Sequence, residues 1–318
     1  MDCNKIGNNV KSPEKMSAYK ARQADGAYGK IYGLLILTFV IWGSLYVVSK
    51  YVLGKLPTFT TSFFRFSIAY ITLTLIGKRR KATTVIAGKD IPWLLVLGIF
   101  GYFMSVGAQL LGTKYAGASM ASLLNALNPV TMTFFGALIL HEKLTIRKIA
   151  GLILALAGVY TILGDGIAVS GVGIAFSLFS VVLWSLISVL MRTVSQKYDS
   201  IQVTRYGVGI AAVCYFPIAV HEAIGGEISF DFPCVLALLY MSIVCTGIAY
   251  LLWNKCLSNL EAGVCSAFYP VQPMVSAFLG MIFLGEKTDL AFGLGSLLIV
   301  AGILINLSGG WKKRSKKR

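Results

Sequence analysis

Apolar runs separated by short polar stretches recur along the chain from residue 31 to residue 308. A helix needs about 20 mostly apolar residues to cross a hydrocarbon layer of roughly 30 Å, because backbone groups left unpaired in lipid each cost several kcal/mol. Ten runs meet that requirement, at residues 31–50, 58–77, 91–111, 117–140, 147–164, 172–191, 201–221, 232–253, 261–284 and 289–308. The pattern predicts an all-α integral membrane protein of ten transmembrane helices, with connections too short to fold as a separate soluble domain.

Composition agrees. With 56% hydrophobic and 13% charged residues and a mean hydropathy of +0.75, the chain has more apolar surface than one soluble core hides, which leaves lipid as its solvent. Residues 1–30 form a polar basic tail with no apolar stretch of the signal-peptide type, and 309–318 form a second basic tail.

The net charge of +16 raises nucleic acid as a partner. The basic residues are not gathered on one face, however, but lie in the tails and in alternate loops, as at Lys78, Arg79, Arg80, Lys81, Lys143, Arg147 and Lys148. With the N-terminus inside, the loops on the other side hold only Lys50, Lys55, Lys114 and Lys287. That asymmetry follows the positive-inside rule and predicts a multi-pass cell-membrane protein with both termini cytoplasmic, partnered by the lipid bilayer and not by nucleic acid.

Sliding the chain against itself aligns 92–164 with 236–308 without a gap. Pro129 pairs with Pro273, Phe134 with Phe278, Gly136 with Gly280, Glu142-Lys143 with Glu286-Lys287, and Gly158 with Gly302. Upstream, Trp42 matches Trp184 and Arg65 matches Arg205. The unit is therefore five helices, 31–164 and then 172–308. An odd number of spans makes the second copy enter from the opposite side, giving two inverted-topology repeats around a central cavity, an architecture that supplies two near-equal states.

The doubled Pro and Glu-Lys spacing, with Arg65 in the run SFFRFSIAY, resembles the EamA-type members of the drug/metabolite transporter superfamily over nearly all of 31–308. The resemblance implies a ten-helix bundle that exports or exchanges amino acids and related small metabolites. Family members also carry sugars and nucleotide sugars, so substrate does not transfer with fold.

Polar side chains inside lipid are costly and face a partner or a water-filled cavity. Asn125 and Asn128 in the fourth span, and their repeat equivalents Tyr269 and Gln272 in the ninth, line a binding cavity or hold the bundle together by interhelical hydrogen bonds; mid-span depth favours the cavity. Pro129 and Pro273 follow them and are expected to bend both helices near the midplane. Trp42 with Tyr46, Trp184 with Ser188, and Tyr250 add an aromatic wall with hydroxyl handles, against the alternative of large rings packing the core. Arg65 and Arg205 are the intramembrane charges: each binds an anionic group or ties neighbouring helices, and nearness to a helix end favours the tie. Glu142-Lys143 and Glu286-Lys287 cap helix ends or act in gating, capping being favoured.

Other chemistry is weakly marked. The cysteines show no CxxC pair, so no disulfide framework, metal site or cofactor is expected. Two histidines and no nucleophile, carboxylate or metal cluster near a membrane face argue against an enzyme. The run GVGIAA at 207–212 lies inside a span and reads as packing, and the sequon at Asn306 lies at a cytoplasmic helix end. Small residues such as Gly151, Ala155, Gly158, Ser276 and Gly280 permit close helix contacts or form a homodimer surface. The best functional reading is a transporter of small polar metabolites; a flippase for a lipid-linked group, a sugar or nucleotide carrier and a non-transporting scaffold are the rivals.

Overall fold

The computed structural model describes residues 13–79, 86–116, 121, 124–142, 144–163, 170–225, 229–284 and 290–315, which are helical apart from their connections. In chain order the helices are α1 (Pro13–Leu53), α2 (Thr58–Arg79), α3 (Gly88–Ala116), α4 (Asn128–Leu140), α5 (Ile146–Leu163), α6 (Gly171–Lys197), α7 (Ser200–Gly225), α8 (Phe232–Asn259), the short α9 (Ala262–Ser266), α10 (Val271–Leu284) and α11 (Leu290–Ser315). The helix of α1 begins at Pro13, inside the stretch read from the sequence as a tail, and α11 runs on into the second tail.

Six segments among the described residues are long and apolar enough to cross a membrane: Gly29–Leu53 within α1, then α2, α3, α6, α7 and α8. α4, at 13 residues, is apolar but shorter. The reason is local. Residues 126–127 form a turn just before Asn128, and residues 267–270 form a turn just before Val271, so the spans read at 117–140 and 261–284 are interrupted and not merely bent. Each break precedes its proline: Pro129 and Pro273 stand in the first turn of the helix that resumes, where a missing N–H costs nothing.

Two nine-residue π-helical segments, Leu97–Ser105 in α3 and Tyr240–Ile248 in α8, occupy corresponding places in the two halves. Packing also corresponds. α1 lies against α10 as α6 lies against α4, α2 meets α8 as α7 meets α3, and α2·α7 and α5·α11 pair counterparts directly. In membranes apolar burial does not drive helix association, so small residues that admit close approach do much of the work. A Cβ at Gly158 would meet the Gly295 carbonyl oxygen at 2.5 Å, and one at Gly302 would meet the Gly151 oxygen at 2.5 Å, so α5 and α11 touch backbone to backbone. Their outer faces carry exposed Ile153, Tyr160, Leu297 and Leu304, as lipid-facing surfaces do.

The correspondence fails beside a cavity. The C-terminal half of α8, Ala249–Asn259, packs against α6, whereas the matching half of α3, Val106–Ala116, faces α1 across a cavity.

Candidate functional site

The cavity spans about 610 Å³ when the open solvent at its mouth is counted, and it is walled by α1, α2, α3, α6, α8 and the two interrupted segments. Its lining starts near the C-terminal ends of α1 and α3 with Ser49, Thr113 and Gln109, passes Leu45, Tyr46 and Asn125, and ends on Trp42, Trp184 and Tyr250. Below that level the rings close. Phe39 and Trp253 are fully buried and stack edge-on at 5.7 Å, Trp253 lies 5.6 Å from Trp42, and Phe39 lies 4.7 Å from Tyr269. This aromatic layer makes the floor.

Tyr46 is the hub of the polar wall. Its hydroxyl accepts from Asn125 Nδ2 at 2.7 Å and from Gln109 Nε2 at 3.4 Å, and donates to Gln272 Oε1 at 3.4 Å. Four helical segments from both halves thus meet at one oxygen. The meeting requires Gly43, where a Cβ would lie 2.6 Å from Val275 Cβ and 2.9 Å from the Gln272 backbone carbonyl oxygen, so any side chain there parts α1 from α10. Trp184 Nε1 donates to the Tyr269 hydroxyl, and Trp42 Nε1 donates to the Cys245 carbonyl at 3.1 Å within the π-helical segment of α8.

Trp42, Tyr46, Asn125, Trp184, Tyr250, Tyr269 and Gln272 therefore line one cavity. Asn128 and Ser188 do not. The turn at 126–127 rotates Asn128 away: its Nδ2 donates to Asn125 O and Oδ1 at 2.8 and 2.6 Å, and its Oδ1 accepts from Ser185 of α6 at 3.0 Å. Asn128 props Asn125 from behind. Ser188 is fully buried, with its hydroxyl unpaired among the described residues.

The two arginines part company. Arg205 is half-buried with its guanidinium 5.0 Å from the Tyr206 ring, away from the cavity, whereas Arg65 is buried and lines it. Sequence reasoning missed Gln109, Ser105 and Ser180, which also line it. Ser105 and Ser180 bond reciprocally, each hydroxyl to the other's carbonyl, at 3.2 and 2.8 Å. Gln109 carried the available signal, an amide inside an apolar run.

Past the floor, the other end of the bundle is latched. α4 ends on His141 in the left-handed region (φ 51°), which turns the chain and points Glu142 back across the bundle. Glu142 pairs with Arg192 of α6 at 2.6 Å and accepts from the Ala262 and Gly263 backbone N–H groups at 2.8 and 3.2 Å, while Lys148 of α5 pairs with Glu261 at 2.6 Å. Lys143, Glu286 and Lys287 lie outside the described residues.

Comparison with known proteins adds the following. Residues 29–164 and 171–308 each match the model of the EamA-like transporter family. A transporter of Archaeoglobus fulgidus described as uncharacterized is 27% identical over 281 residues, 87% of this chain and 96% of that protein. A probable amino-acid metabolite efflux pump of Salmonella typhimurium is 26% identical over 301 residues, 89% of this chain and 97% of that protein. A solved crystal structure, 20% identical, shares the fold with a TM-score of 0.73 over 87% of this chain and 96% of that one.

Proposed function

The chain belongs to the EamA-like transporter family and is a membrane transporter, not an enzyme, and we propose that it exports or exchanges small polar metabolites, amino acids or related compounds. The observation that carries this reading is the Tyr46 hub. It puts neutral donors and acceptors from both family-matching halves in the wall of a cavity that ends on aromatic rings, which suits a small amphipathic ligand. The name of the Salmonella relative points the same way.

In this reading the two copies are inverted five-helix repeats of a ten-span bundle in the cell membrane, with both termini cytoplasmic. The latch at Glu142 then lies on the cytoplasmic face and the cavity mouth on the outer face. Transport proceeds by exchanging the packing of α8 on α6 for the equivalent packing of α3 on α1, which closes the mouth and opens the latched end.

The test is counterflow. Purified protein in liposomes preloaded with unlabelled amino acid is expected to accumulate the labelled form transiently and saturably. A panel of the common amino acids that gives no counterflow contradicts the amino-acid reading and moves sugars, nucleosides and lipid-linked groups to the front.

A further inference from the structure

Arg65 carries a planar guanidinium cation with five N–H donors and no acceptor. It is 1% exposed and yet lines the cavity. Its Nε donates to Thr246 Oγ1. That hydroxyl can only accept, since its own proton goes to the Met241 carbonyl at 2.8 Å along the π-helical segment. The guanidinium carbon is held 5.7 Å from the Phe66 ring. Anchored on that side, Arg65 leaves Nη1 buried with no hydrogen-bond partner among the described residues.

The ion pairs among the described residues engage Lys55, Lys148, Arg192 and Lys197, not Arg65. A buried cation with an idle donor is costly, and a helix tie alone would use that donor on protein atoms. Among the described lining residues Arg65 is the one charged group, so the field in the cavity is positive.

We propose that Arg65 docks the carboxylate of a monocarboxylate metabolite whose aromatic or apolar remainder rests against Trp42, Trp184 and Tyr250. The proposal rests on the transport reading and narrows it. A carboxylate offers two oxygens to the planar guanidinium fork and supplies the missing partner to Nη1. No carboxylate among the described lining residues awaits an ammonium group, so the cavity selects anions and zwitterions over organic cations.

Three compounds that share one ring test it: 3-phenylpropionate, phenylalanine and phenylethylamine, presented to the full chain at neutral pH. Binding is read by quenching of tryptophan fluorescence, since Trp42 and Trp184 line the cavity, and transport by competition with labelled phenylalanine in counterflow. The two carboxylates are expected to bind and compete, and the amine to do neither. Arg65→Gln is expected to raise the Kd of both carboxylates at least about tenfold, with Arg65→Lys recovering part of the loss. Should Arg65→Gln fail to fold, the wild-type ranking carries the test alone.

An amine that competes as well as the acids overturns the role of Arg65 while leaving the carrier standing. Failure of all three compounds to bind also overturns the proposal, and counterflow of the other amino acids then decides whether the transport reading survives. If nothing is exchanged, both fall.

Discussion

Glu142 and Arg192 meet at 2.6 Å eight residues past Trp184, while Lys50, eight residues past the equivalent Trp42, is exposed. Among the described residues, that position sits in an ion pair in one half and is exposed in the other. In the proposed inverted-repeat reading, a chain resting in one state of a two-state cycle gives that difference.

Removing the latch is expected to shift the populations. Glu142→Ala deletes a pair whose carboxylate is 6% exposed, together with two backbone hydrogen bonds at the start of α9. Losing one partner of such a buried pair is worth on the order of 3 kcal/mol, so labelling of the fully buried native Cys265 by a maleimide is expected to speed up at least about tenfold. Unchanged labelling in a folded variant means that the pair ties helices without gating.

Tyr46→Phe keeps the ring and removes the oxygen that Asn125, Gln109 and Gln272 share. Intramembrane hydrogen bonds average about 0.6 kcal/mol each, so the loss of stability is expected to be small. Substrate affinity is expected to fall several-fold, read as the half-saturating concentration in counterflow. A melting temperature lowered together with unchanged affinity would make the hub structural.

Gly158→Leu and Gly302→Leu each drive a side chain into the facing backbone of α11 or α5, where a Cβ alone would stand 2.5 Å from a carbonyl oxygen. Overpacking of this kind costs about 1–3 kcal/mol. Thermal unfolding in detergent is expected several degrees lower for each variant, with the protein still monodisperse; an unchanged melting point means that these helices do not hold each other.

At the mouth end Asp231 accepts from the Cys234 backbone N–H at 2.8 Å and lies near Tyr51 and Lys55, and these contacts hold its carboxyl below the usual aspartate range, the backbone bond most of all. A lowered folded-state pKa contributes stability above the unfolded value of about 4 and loses it as pH falls through the folded value. Asp231→Ala is expected to melt below wild type at neutral pH, with the gap closing as the pH drops under about 4. A gap independent of pH assigns the loss to packing.

Six of the spans were legible because lipid imposes a length and a polarity on each of them. Asn125, Tyr269 and Gln272 were legible because a polar group in such a run has few places to go. The breaks before Pro129 and Pro273 were not: Ala126, Leu127, Ala267 and Phe268 are ordinary helix residues, and proline announces a disturbance without saying where the helix resumes. That hidden turn is why Asn128, three residues from Asn125 and read as sharing its face, bonds to Ser185 instead. The π-helical segments carry no compositional mark, so the docking of Arg65 on Thr246 was invisible as well. Ser105 and Ser180 escaped notice because serine in a span satisfies itself so readily that its presence signals little.

Counterflow in liposomes with Asn125→Ala beside wild type tests the central claim most directly, since Asn125 touches Tyr46 at 2.7 Å and lines the cavity without contributing to the latch. The account predicts saturable amino-acid counterflow in wild type and its loss, or a half-saturating concentration raised about tenfold, in the folded variant. Counterflow in Asn125→Ala indistinguishable from wild type contradicts a substrate site at the Tyr46 hub.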